Sequence, residues 1–389
     1  MQIKLPKPGW LALATVVMLL VAGIVALAAP RIRILFLQTE VERVGGQIQL
    51  ERSGPQWLHR HAAEWGYDGF LTVLDNRVVV VKLGGTAVDD AWVRRLAPFH
   101  EIQALDLSRT KVTDTGLFEL RQLTHLQTLD LSKTTIGGPG LAILERCREL
   151  AALDLYDCPI DGNSLVHLAH ANGLKTLDLT GTSITPGSIA HLAGCTGLIN
   201  LCLENTRIGD SDLADLRGLP GLQILCLMDT PVTDAGLQHV KDLPSLMYLD
   251  LRGTRVTDAG VRSLSEMKRL ASLPISRTAI TDVGLEVLAR IPTLQMLDLS
   301  GTAVSGAGLR RLTALSNLST LALAEIDLGE DGAQALQAFH TEQMWLCLHG
   351  TQLPAASLLE LKTAHPNWTI DLSRSPQWTL DADFVAMHR

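Results

Sequence analysis

Carboxylates recur at one fixed spacing along this chain. Asp106, Asp130, Asp154 and Asp178 each stand between two leucines, and Asp250, Asp298 and Asp371 repeat the arrangement further on. On neighbouring strands such side chains lie about 4.8 Å apart, so each adjacent pair repels by roughly 0.9 kcal/mol even at the dielectric of water. This acidic ladder either draws a cation or a basic partner, or it is a solvated pattern whose charge Arg109 and Lys133 relieve. Cys202 and Cys226 interrupt it. Around them Asn200, Ile224, Met228 and Tyr248 make an apolar patch edged by Glu204, Asp229 and Arg252. An apolar centre with a charged rim is the chemistry of a protein interface; chance variation on a repeated surface is the rival reading.

Metal and nucleophile chemistry find less support. His167, His191, Asp215 and His239 fall at equivalent helical positions. Helices pack about 8–10 Å apart, too far for adjacent members to share a first shell at ~2 Å, so a solvated face is expected there and no metal. His59 and His61 have no companion cysteine. None of the six cysteines shows CxxC spacing. Cys147 and Cys195 fill a slot that Leu123 and Leu219 hold elsewhere, a buried position, while Cys202, Cys226 and Cys347 sit between strand leucines. Cys202 and Cys226 are expected to be neighbours across strands, an arrangement that seldom meets disulfide geometry. Serines and histidines abound, yet no second domain is there to enclose a triad, so neither catalytic residues nor a cofactor are expected. A net charge of −8 with only 19% charged residues argues against a broad nucleic-acid footprint.

The elements that position these residues come from a repeat. The pattern L-x-L-x-x-T returns every 24 residues, as from Thr86 to Thr110 and Thr110 to Thr134, then at Thr182, Thr206, Thr230, Thr254, Thr278 and Thr302. Cys158, Ile326 and Ser375 replace the threonine, and Thr351 arrives one residue late. About thirteen repeats over 81–375 predict a solenoid, in which each unit packs only on its neighbours. Within one unit, Leu126, Leu129, Leu131 and Ile136 are expected inward, and the threonine hydroxyl to satisfy backbone groups where the chain leaves the strand. Ile326 cannot make that bond, so its repeat is expected to be irregular. Thr113-Asp114, Thr233-Asp234, Thr257-Asp258 and Thr281-Asp282 supply N-cap oxygens, with Gly116, Gly236, Gly260 and Gly284 just inside. Leu117, Leu120 and Leu123 make the apolar stripe of a helix, and Pro220, Pro244 and Pro292 stop such helices. One strand and one helix per repeat follow.

The pattern L-x-x-L-x-L-x-x-T-x-I/V with T-D-x-G-L resembles the leucine-rich repeat family, in a Thr/Cys-containing variant similar to bacterial membrane-anchored members. The resemblance implies an α/β leucine-rich repeat solenoid: a right-handed β-α superhelix in a horseshoe, strands on the concave side and helices on the convex side. It also implies partner binding through the concave face, and makes Asp in the ladder slot an ordinary consensus residue. A patch of Met296, Trp345 and His349 is read as C-terminal capping. Trp57, Trp65 and Trp92 lie before or in the first repeat, and Trp345, Trp368 and Trp378 in the last two or just beyond, which suits capping at both ends.

After a tail over 1–9, Trp10 to Ala29 is uncharged and predominantly apolar, and at ~1.5 Å per residue it spans about 30 Å, the hydrocarbon thickness of a bilayer. A retained transmembrane signal anchor is expected over 10–29, with a cleaved signal peptide ending near Ala26-Leu27-Ala28 as the rival. Ile34, Leu37, Val41 and Val44 then recur at helical spacing up to Gly45-Gly46, a juxtamembrane helix or stalk over 30–46. A cap over 47–80 follows: a strand at Ile48 to Leu50, a helix at Pro55 to Trp65, and Phe70 to Leu74 paired with Val78 to Leu83. A tail or cap over 376–389 closes the chain. The expectation is a single-pass membrane protein with extracytoplasmic repeats, a non-enzymatic module binding an unknown protein. An alternative is a structural or adhesive component binding an envelope polymer.

Overall fold

Leucine spacing decides the strands. The structure is a computed structural model and describes residues 8–52 and 76–373. It comprises two compact units, Met1–Leu150 and Ala151–Arg389. In the first, α1 (Pro8–Arg43) precedes β1 (Gln47–Arg52), β2 (Asn76–Lys82), β3 (Ala104–Asp106) and β4 (Thr128–Asp130). β1 lies antiparallel to β2, and β2, β3 and β4 run parallel with Val81, Leu105 and Leu129 in register. The second unit holds β5 (Ala152–Asp154), β6 (Thr176–Asp178), β7 (Asn200–Cys202), β8 (Ile224–Cys226) and β9 (Tyr248–Asp250). Then come β10 (Ser272–Pro274), β11 (Met296–Asp298), β12 (Thr320–Ala322), β13 (Trp345–Cys347) and β14 (Thr369–Asp371). They pair in parallel in chain order, Leu153, Leu177, Leu201 and Leu225 forming successive rungs of one apolar spine. These leucines are buried.

The threonine slot does what its chemistry predicts. Thr110, Thr134, Thr206 and Thr254 each donate their hydroxyl to the carbonyl three residues back, at 2.6, 2.7, 2.6 and 2.6 Å. Ile326 is buried and makes no such bond, but the carbonyl of Leu323 is served from the next repeat: Thr351 Oγ1 donates to it at 2.9 Å. The late arrival of Thr351 is therefore compensatory. The residue before the slot takes a left-handed backbone even when it is not glycine, as at Arg277 (φ 56°) and Glu325 (φ 60°). The sequence hid that requirement, because charged residues often occupy it.

The convex segments are shorter than one helix per repeat implied. Where an aspartate begins the helix, α-helical turns form, as in Asp114–Glu119, Asp234–Val240, Asp258–Val261 and Asp282–Leu288. Pro139–Arg146, Gly162–Leu168 and Ile189–Gly194 are 3-10 throughout and lack that aspartate. Thr233 caps its helix by accepting from Ala235 N, as expected. The aspartate beside it reaches across to the following repeat: Asp234 Oδ1 accepts from Thr257 N at 2.7 Å, and Oδ2 from Thr257 Oγ1 at 2.7 Å. Asp90 holds Thr113, Asp210 holds Thr233, Asp258 holds Thr281 and Asp282 holds Ser305 in the same way. The glycine is needed for this contact. A Cβ on Gly260 would overlap Asp234 Oδ1, and one on Gly236 would lie 2.6 Å from Asp210 Oδ1.

At the amino end the separate anchor and stalk become one element. α1 is 36 residues long and runs through Pro30 without a break. Among the described residues no helix is long and apolar enough to cross a membrane, so they do not supply the spanning helix expected over 10–29. Nor is 30–46 a free stalk: Leu37 and Val41 are 2% and 0% exposed, packed on the first unit where Gly45 (φ 83°) turns the chain into β1. The strand expected at Ile48 to Leu50 is present, and β2 pairs with it. The expected helix at 55–65, the strand at 70–74, His59, His61, Trp57, Trp65, Trp378 and the tail over 376–389 lie outside the described residues. Trp368 does cap the far end: its indole stacks on His365 at 3.9 Å between centroids and donates to Thr341 O at 3.0 Å.

Candidate strand-face interaction site

Residues alternating with the spine leucines define the other face of the strands. The expected patch assembles there in the second unit, though its middle is closed rather than open. Ile224, Cys226 and Tyr248 are 8%, 3% and 2% exposed and pack on one another, with Cys202 against them. The physical reason is register. Cys202 faces Cys226, and Ile224 faces Tyr248, on strands close enough for large side chains to cover each other. Met296, from the second patch, is likewise buried, while Trp345 and His349 are half-buried. The reachable members are Asn200, Cys202, Glu204, Met228 and Arg252, all half-buried, and exposed Asp229.

The centre is an ion pair that the sequence showed only in part. Asp250 is fully buried, and Arg252 donates to it through its backbone N at 2.9 Å and through Nε at 3.0 and 2.8 Å, with Nη2 also on Oδ2. Tyr248 Oη donates to the same carboxylate at 3.5 Å. Burial alone would favour a neutral guanidine, but hydrogen bonding and charge from Asp250 override it, so the Arg252 pKa is raised. Arg252 is thus a fixed cation at the edge of a packed floor rather than a loose rim residue. Asp229 is met by Arg277 Nη2 at 3.4 Å. The Asn200 Oδ1 is buried without a hydrogen-bond donor.

The acidic ladder is engaged with its own chain. Asp106 Oδ1 accepts from Ser108 N at 2.9 Å and Ser108 Oγ at 2.6 Å, and Asp130 does the same with Ser132 at 2.9 and 2.7 Å. Asp154 accepts from Tyr156 N at 2.9 Å, and Asp178 from Thr180 N at 2.8 Å. Each carboxylate therefore turns the chain out of its strand, which explains the aspartate without invoking a ligand. Among the described residues no group of three His, Cys, Asp or Glu could hold a metal ion. In the histidine column, His239 Nδ1 lies 3.4 Å from Arg217 Nη2, which also pairs with Asp242 at 2.8 Å.

The thiols are quiet. None of the six cysteines forms a disulfide. Burial pushes Cys147 and Cys195 up to about 11. The hydrogen bond with Cys202, then burial, raises Cys226 well above an ordinary thiol. Thiolate nucleophiles are disfavoured at each of these positions.

Comparison with known proteins agrees with this geometry. Family profiles described as leucine rich repeat match residues 244–304 and 122–142. No curated protein matches the sequence. Among solved structures, an internalin from Listeria monocytogenes is 20% identical with a TM-score of 0.59, covering 78% of this chain and 91% of its own. A leucine-rich repeat protein from Leptospira interrogans is 16% identical with a TM-score of 0.52, covering 72% of this chain and 80% of its own. At these identities the likeness is one of fold.

Proposed function

We propose, from the premise that this chain is a leucine-rich repeat protein, that it is a membrane-anchored, non-catalytic module binding a partner protein through its strand face. One observation carries the choice of surface. Around β7, β8 and β9, a buried floor of Ile224, Cys226 and Tyr248 is edged by the half-buried Cys202, Glu204 and Met228 and by the immobilised Arg252. Tyrosine, arginine and methionine over a rigid apolar floor are what interface centres are made of. Elsewhere the ladder aspartates are already occupied by their own turns.

Anchoring rests on composition. Residues 10–29 carry no charge, and Val16 to Leu19 are 49–71% exposed on α1, apolar side chains uncovered by protein. Lys4 and Lys7 before the segment, and Arg31 and Arg33 after it, flank it as interfacial residues do.

The test is a crosslinking pull-down from native membranes comparing wild type with Met228→Glu plus Glu204→Lys. Both positions are reachable, whereas Tyr248→Ala would remove a floor residue and probe folding instead. Selective loss of one crosslinked protein, with about tenfold weaker capture, is the expected result. An unchanged set of partners removes this surface from the proposal. Co-sedimentation with purified envelope polymer, insensitive to both substitutions, would favour an adhesive role.

A further inference from the structure

α1 leaves one side open just beyond the proposed anchor. Its buried stripe, Leu37 and Val41, faces the first unit, while Ile32, Leu35 and Phe36 are 64%, 52% and 62% exposed. Between this stretch and the segment after the first repeat's helix lies a cleft of about 330 Å³. Its walls are Ile32, Arg33, Phe36, Arg95, Pro98 and Phe99, with Leu37 and Glu40 at its inner end. The walls are mostly apolar. Glu40 is neutralised within the cleft by Arg95 Nη1, and Arg33 stands exposed.

We infer that this cleft seats an anionic phospholipid, its phosphate against Arg33 and its upper acyl carbons along Ile32, Phe36 and Phe99. The inference rests on the anchoring over 10–29 proposed above. Two observations select this occupant. The first is position: Ile32 to Phe36 span about 6 Å of helix directly after the apolar segment, the depth of the headgroup layer. Exposed isoleucine, leucine and phenylalanine at that depth are covered by lipid at no cost in desolvated charge. The second is charge. In a chain of net −8, Arg33 stands exposed at the cleft beside its apolar walls, where an anionic headgroup attracts it. The consequence is mechanical: a lipid wedged between α1 and the first repeat fixes the first unit against the bilayer.

The experiment places full-length protein in nanodiscs of phosphatidylcholine with or without phosphatidylglycerol. A phosphatidylglycerol probe carrying a photoreactive diazirine high in its acyl chain is added, and labelled residues are mapped by mass spectrometry. Labels are expected on Ile32 to Phe36 and on Pro98 and Phe99, competed by phosphatidylglycerol and not by phosphatidylcholine. Arg33→Gln should reduce cleft labelling roughly fivefold, one arginine's attraction to an anionic surface. Phe36→Gln should remove the label at Phe99 while leaving labels within 10–29 intact. Both residues are exposed, so neither change threatens folding, and circular dichroism of each variant checks this. Labels confined to 10–29, or indifferent to lipid charge and to both substitutions, overturn the lipid site and leave the anchor standing. A chain that never enters the nanodisc overturns the anchor itself.

Discussion

A single carboxylate joins one repeat to the next. Asp234 accepts both the backbone N–H and the hydroxyl of Thr257, and Gly260 leaves the space that carboxylate occupies. The T-D-x-G pattern is therefore both a helix cap and a three-residue device spread over two repeats. Gly260→Ala should cost about 1–3 kcal/mol by overpacking. Asp234→Ala should cost a similar ~1–3 kcal/mol, since it strands two donors at a half-buried joint. The double variant should fall short of the sum, because the alanine methyl then has no carboxylate to strike. Urea midpoints of the three variants measure this. A Gly260→Ala protein as stable as wild type would mean the carboxylate can move aside freely.

Among the elements, the β12 repeat shows how one irregularity is absorbed by its neighbour. Ile326 gives up the turn hydroxyl, and Thr351, displaced by one residue, donates to Leu323 O from the next unit. Thr351→Val should destabilise by about 1 kcal/mol, the usual worth of one such bond. Adding Ile326→Thr should restore most of it, since a hydroxyl at that slot reaches the carbonyl three residues back, as Thr302 does at 2.5 Å. Thermal denaturation of the single and double variants decides. If the second substitution lowers stability further, the two side chains are not exchanging one acceptor.

For the molecule as a whole, function turns on where the repeats are displayed. Lys4 and Lys7 against Arg31 and Arg33 give nearly balanced flanks, so the charge rule alone barely orients the proposed anchor. A segment of this kind followed by a long repeat region is expected to export that region. Protease added to spheroplasts should therefore digest the repeats while the membrane is intact, leaving a membrane-bound fragment that contains 10–29. Repeats that survive until the cells are lysed would place them in the cytoplasm and change the class of partner.

By itself the sequence determined whatever depends on period. The rungs Leu105 and Leu129, or Leu153 and Leu177, follow from a repeat of one fixed length, because a strand's side chains alternate and equal spacing puts equal residues in register. The threonine bonds and the helix-capping threonines were legible for the same local reason. What only the tertiary structure decided are relations between residues one repeat apart. The Asp234 joint and the Thr351 substitution for Ile326 belong here. So does the closure of Ile224, Cys226 and Tyr248. Their partners are about 24 residues distant, and burial there depends on how side chains on adjacent strands fill the space between them. A pattern of residue types shows which way a side chain points, but not what has already covered it.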